Sequence, residues 1–220
     1  MSQTTNAVKQ AGAERRDFDK EAAQWDANAF RVNMARDVSA AMIREVQPTK
    51  AMKVLDFGCG TGLITLAIQP LVKEITGADS STGMLETLNG KIAEQKLDNI
   101  HTEHVDFEKG QRLSGSYDLI VSSMVTHHVP DTFDLFREWH KLLQPGGRVA
   151  FADLDTEDGS FHGDNTGVFH LGFDRGHLRG LLEQAGFTDI RDTTATVVKK
   201  ELEGKGLREF SIFLITARRD

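Results

Sequence analysis

Val54-Leu55-Asp56-Phe57-Gly58-Cys59-Gly60-Thr61-Gly62 reads as a short apolar strand running straight into a glycine loop. Leu63, Ile64 and Leu66 follow at once, so the loop opens a helix. Glycines at alternate positions 58, 60 and 62 let the backbone turn tightly and approach a ligand closely, because no Cβ stands in the way. Strand, glycine turn and helix in that order begin a βα unit whose loop cradles a cofactor.

The spacing narrows the cofactor. A dinucleotide fingerprint, G-x-G-x-x-G, places its third glycine where this chain has Leu63, which disfavours NAD. A phosphate-binding P-loop ends in Gly-Lys-Ser/Thr, and Gly62-Leu63-Ile64 has neither the lysine nor the hydroxyl, which disfavours ATP and GTP. What remains is D-x-G-x-G-x-G. On these residues the chain resembles the class I S-adenosylmethionine (SAM)-dependent methyltransferases.

The resemblance implies a set of cofactor residues. Asp56 matches the leading acid of the motif, and with Gly58, Gly60 and Gly62 it is expected to hold the methionine end. An anion at this strand end balances the ammonium and sulfonium of SAM and would repel a phosphate. Asp79 ends a second strand about one βα unit downstream, where an acid reaches ribose hydroxyls. The similarity continues through Ser80 and Ser81 to Met84, which either packs on the adenine or simply faces the core of a helix. Asp106 and Phe107 close a third strand and are expected at the adenine, with Glu103 and Glu108 near enough to shift that alignment. Ser122, in the segment after the fourth strand Tyr117 to Val121, is counted with the cofactor residues.

Composition sets outer bounds. At 220 residues, a formal net charge of −7 and a pI near 5.6, the chain has no broad basic footprint for nucleic acid or anionic membrane. Its one cysteine, Cys59, excludes an internal disulfide and a cysteine-built zinc site. No apolar run reaches the length of a membrane span, and Met1 to Ala13 lacks the apolar core of a secretory signal, so the expected location is cytoplasmic. Nothing in the sequence reports an oligomeric state.

The chain beyond the motif alternates strand and helix, which implies an α/β protein with a parallel sheet and helices on both faces. Residues 1–13 are expected to be disordered and 14–220 to form a single methyltransferase domain: a helical cap over 14–48 and a Rossmann-like core over 50–218. The cap is read as two helices between Arg15 and Val46, and Phe18-Asp19, Ala22 and Trp25-Asp26 loosely resemble the family's segment over the cofactor. The alternative is that Phe18 and Trp25 merely bury a helix face. A helix from Asp131 to Leu143, a turn at 144–147 and a strand from Arg148 follow, then a long Gly-, Asp- and His-rich stretch between Asp155 and Gly172 that is a candidate binding loop. A helix over Phe173 to Ala185 and a terminal hairpin complete the core. The resemblance implies seven strands in the order 3-2-1-4-5-7-6, the last antiparallel.

The segment after the fourth strand, Ser122-Ser123-Met124-Val125-Thr126-His127-His128, is where the transferred methyl meets its acceptor. It lacks the Asn/Asp-Pro-Pro-aromatic pattern of amino-methylating enzymes of DNA and protein, so a small-molecule acceptor is favoured. Displacement at a sulfonium needs mainly positioning and exclusion of water, with a base only for a protonated acceptor. His127, then His128, are the candidate catalytic bases; otherwise they serve the loop's own hydrogen bonding. His162, His170 and His177 with Asp153, Asp155, Glu157, Asp158 and Asp164 show no tight ligand spacing, so no metal is expected. The expected group is ubiquinone/menaquinone-biosynthesis-like small-molecule methyltransferases. A protein or nucleic-acid methyltransferase and a non-catalytic SAM-binding regulator remain as alternatives.

Overall fold

A computed structural model of the chain describes residues 16–220; the expectation of disorder over residues 1–13 lies outside them. The glycine-motif strand, β1 (Lys53–Phe57), sits mid-sheet, with β2 (Glu74–Asp79) on one side and β4 (Tyr117–Ser123) on the other. β3 (Ile100–His104) extends the sheet beyond β2, and β5 (Leu143–Leu154), β7 (Gly206–Arg219) and β6 (Phe187–Leu202) extend it beyond β4. The order is β3-β2-β1-β4-β5-β7-β6, with β7 antiparallel to both neighbours and the other pairings parallel. Chain direction across the sheet reverses between β1 and β4, which opens a crevice at their carboxyl ends.

Period-two alternation divides the core between the two faces. On β5 and β7, Val149, Phe151, Phe213 and Ile215 turn to one face, where they meet Phe136 and Trp139 of α5 (Thr132–Leu142) and Leu178 and Leu182 of α6 (Arg175–Gln184). Ala150, Ala152, Ile212 and Leu214 turn to the other, against Val38 and Met42 of α2 (Ala29–Val46) and Ile64 and Ile68 of α3 (Leu63–Ile68). The near-continuous apolar run of β4 reflects burial on both faces.

Local chemistry moves several expected boundaries. The N-terminal segment holds a five-residue α1 (Phe18–Ala22) and a single 3-10 turn at Trp25–Ala27 before the 18-residue α2. Asn28 interrupts it: its side chain accepts from the Phe30 and Arg31 amides and starts α2 afresh. β5 starts at Leu143 rather than Arg148, because the turn at 144–147 is accommodated as an irregularity in the pairing with β4. α6 begins at Arg175, where the Asp174 carboxylate accepts from the His177 amide and caps it.

Gly62 caps α3 at φ 86°, and a Cβ there would lie 2.4 Å from Leu88 Cδ1 on α4 (Thr82–Gln95). Leu88 has no exposure, so it has little room to yield. Gly62→Ala is therefore expected to cost about 1–3 kcal/mol in urea unfolding. Gly110→Ala is the control: φ is similar, 79°, but the space is open, and its smaller loss isolates the backbone contribution.

Candidate active site

The glycine loop, the carboxyl ends of the strands and the N-terminal segment enclose one cavity of about 700 Å³. Of the three motif glycines, Gly60 is the one whose Cβ would point into open space, meeting only Met84 Sδ at 4.0 Å. A Cβ on Gly58 would strike Val125 at 2.3 Å. Gly58 still lends its backbone to the wall, whereas Gly62 faces Leu88 and does not line the cavity.

Asp79 ends β2 and ties the loop to it. One carboxylate oxygen accepts from the Gly60 amide at 2.8 Å and the other from the Ser81 amide at 2.9 Å. Burial raises its pKa, and these amides oppose the rise. Asp56 is 1% exposed and accepts from the Thr65 hydroxyl at 2.5 Å. Burial pushes its pKa up to about 7, against the Thr65 hydrogen bond and with the nearby Asp79 charge. Ser80, Met84, Asp106 and Phe107 also line the cavity, and Asp106 additionally caps the turn at Phe107–Lys109. Ser122 does not line it: its hydroxyl donates to the Phe57 carbonyl at the end of the neighbouring strand β1, at 2.8 Å.

The turn after β4 carries the other half of the site. Met124 holds φ 59°, a left-handed conformation uncommon for a side chain of this kind, and the turn Thr126–His128 follows. His127 is 1% exposed and is fixed from three directions. Its Nδ1 donates to Asp153 Oδ1 at 2.7 Å, its amide donates to Asp153 Oδ2 at 3.1 Å, and its carbonyl accepts from the Phe169 amide at 2.9 Å. Burial alone would raise the pKa of Asp153, but the His127 ring and amide bring it below the ordinary value, so the carboxylate is ionised. With Nδ1–H committed to Asp153, a neutral ring keeps its lone pair on Nε2, and that buried atom has no partner among the described residues.

His128 packs against His127 with ring centroids 4.1 Å apart and planes tilted by 44°, donates from Nδ1 to the Gly167 carbonyl at 2.7 Å, and meets Phe18 edge to face at 5.3 Å. Burial, with the neighbouring His127, lowers its pKa to about 3. His162, delivered by the 155–172 loop, lies 4.9 Å from His127; burial lowers its pKa to about 4, and its Nε2 is also buried without a partner among the described residues. Both rings are neutral near pH 7. Two of the loop's acids are engaged by arginines: Asp155 takes Arg175 through both oxygens and Asp158 takes Arg208. Among the described residues no group of three or more His, Cys, Asp or Glu is arranged to hold a metal.

Sequence reasoning missed Asp153 as the partner of His127, and His162 as a ring of the same cluster. The signal for the first lay in the strand order, since β4 and β5 pair through Ser123 and Ala152, one residue short of Met124 and Asp153. It also missed how the cap is fastened. Asp19 accepts from the Ser81 hydroxyl at 2.6 Å and the Gly83 amide at 2.8 Å, while Asp26 accepts from the Thr61 hydroxyl at 2.6 Å and pairs with Lys91. The two aspartates of the Phe-Asp and Trp-Asp pairs thus pin α1 and the following turn onto the glycine loop and the start of α4.

Sheet order, glycine loop and strand-end acids together define the SAM-dependent methyltransferase class, and SAM is its cofactor. The residues fit that group: Gly60 leaves an open cradle, and Asp56, Asp79 and Asp106 put acids around a cavity that must take a cation. Residues 54–147 match a family model described as a methyltransferase domain. The chain is 31% identical over 156 residues to an uncharacterized methyltransferase of Schizosaccharomyces pombe, covering 64% of this chain and 55% of that one. It is 28% identical over 120 residues to a ubiquinone biosynthesis O-methyltransferase of Albidiferax ferrireducens, covering 54% and 48%. The chain thus spans about half the length of these curated relatives. Among solved structures, phosphoethanolamine N-methyltransferase 2 of Haemonchus contortus, in complex with S-adenosyl-L-methionine, superposes with a TM-score of 0.67 at 14% identity, covering 93% of this chain and 60% of that one, a likeness of fold. No helix of the described residues is long and apolar enough to cross a membrane.

Proposed function

We propose that the protein transfers the methyl group of SAM to a small-molecule acceptor held against His127, by in-line displacement. The observation that carries this reading is the buried, partnerless Nε2 of His127, a residue that lines the same cavity as the glycine loop and its acids. Bound SAM supplies an electrophilic methyl on a sulfonium with a good leaving group. Asp56 and the backbone at Gly58 and Gly60 hold the methionine end, Asp79 and Ser80 the ribose, and Asp106, Phe107 and Met84 the adenine.

His127 accepts the acceptor's proton at Nε2, and ionised Asp153 stabilises the imidazolium that results. The acceptor atom that this arrangement suits is therefore one that carries a proton, such as a hydroxyl. Phe18 and Trp25, with a ring-centroid distance of 5.9 Å, roof the cavity and exclude water. A roof pinned by Asp19 and Asp26 favours a small acceptor over a folded protein or duplex.

Incubation with methyl-labelled SAM and an extract of the protein's own host, followed by size fractionation, tests the acceptor class. Label is expected in the small-molecule fraction. Label in protein or nucleic acid would overturn the acceptor class, and SAM binding with no transfer to any fraction would favour a regulator.

A further inference from the structure

The acids on the cavity wall come from β1, β2, the segment after β3, the 155–172 loop (Asp164) and β6 (Glu201), and Lys200 also enters from β6, the edge strand opposite β3. The other cations on the wall are matched: Arg16 and Arg31 both pair with Glu21, and Lys199 pairs with Glu209. Lys200 has no carboxylate within ion-pair distance among the described residues. Its amine donates to the Phe161 carbonyl and lies 5.0 Å from the Phe161 ring centre and 5.7 Å from that of Phe30. Glu157 acts on it from beyond ion-pair range; one of its carboxylate oxygens takes the Ser160 and Phe161 amides, and the other is buried without a partner among the described residues. Burial, against Glu157 and with Arg31, lowers the pKa of Lys200.

An ammonium has three donors. One is used by the Phe161 carbonyl, and the two rings stabilise the cation without neutralising it. The half-buried amine is continuous with the reacting end through aromatic contacts. Phe161 meets His162 at 4.9 Å, and His162 meets His127 at 4.9 Å. The Phe161 and His162 rings, set at 81° to one another, thus line the cavity between Lys200 and His127.

We propose that the acceptor is an aromatic acid, with a proton-bearing group at His127 and a carboxylate bound by Lys200. This rests on the methyl-transfer reading for the role of the His127 end, but the carboxylate site itself is read from the cavity wall.

Titration of wild type, Lys200→Met and Lys200→Arg with 4-hydroxybenzoate and 4-hydroxyphenylacetate, each beside its neutral carboxamide, tests it. Titrations are run with and without S-adenosylhomocysteine, whose own affinity is measured in parallel. At least one acid is expected to bind wild type tenfold or more tightly than its amide. That ratio should fall to near one in Lys200→Met and stay within about threefold of wild type in Lys200→Arg, with S-adenosylhomocysteine affinity unchanged. Acid and amide binding wild type equally, a preference that survives in Lys200→Met, or no binding of any probe would overturn the proposal. Failure to bind S-adenosylhomocysteine would instead sink the cofactor assignment, while the acid preference remains readable on the free protein.

Discussion

His127→Ala is expected to slow methyl transfer at least about a hundredfold, within the 10²–10⁴ range of a positioned general base, while leaving SAM affinity within about threefold. The size follows from how completely the ring is committed. Its Nδ1 and amide both go to Asp153, its carbonyl is held by the 155–172 loop, and Nε2 is the one polar atom left over. Single-turnover rates at saturating SAM, with the acceptor identified by the labelling experiment, read the effect directly. Asp153→Asn separates base from scaffold. An amide can keep a hydrogen bond to Nδ1 but cannot offset the imidazolium charge, so the rate should fall and its dependence on pH should shift. His128→Ala should act more weakly, since that ring already donates to Gly167 and its pKa near 3 takes it out of proton transfer at neutral pH. Equal losses at 127 and 128, or a His127→Ala enzyme with the wild-type rate, would remove His127 from the chemistry.

The second large effect is expected on cofactor binding. Asp79→Ala should weaken SAM at least tenfold, on the order of 1.4 kcal/mol, measured by calorimetry with SAM and with S-adenosylhomocysteine. The carboxylate has two functions to lose. It positions the Gly60 amide at the open point of the cradle, and under the proposed function its remaining lone pairs would take the ribose hydroxyls. Because the product lacks the sulfonium charge, comparable losses for both ligands point to the ribose contact and the loop rather than to charge balance. An unaltered affinity would remove Asp79 from the cofactor site.

What the sequence by itself determined lies where neighbours in the chain are also neighbours in space. β1, the glycine turn and the start of α3 are one contiguous run, so the motif, the fold class and the cofactor could be read from a few residues. The acids at Asp79 and Asp106 were legible for the same reason, each standing at or just past a strand's carboxyl end, where an α/β sheet opens its crevice. Periodicity was less informative in the N-terminal segment, where a single Asn28 cap turned one expected helix into five residues and a turn.

Only the tertiary structure decided the half of the cavity proposed to hold the acceptor. His127 and Asp153 are 26 residues apart and meet because β4 and β5 are neighbours in the sheet. His162 reaches them along an irregular loop with no period to read, and Lys200 enters from a strand at the sheet's far edge. The same dependence on side-chain direction removed Ser122 from the cavity and turned Gly62 towards Leu88: position along the chain places a residue near the crevice, but strand alternation and packing decide whether it faces it.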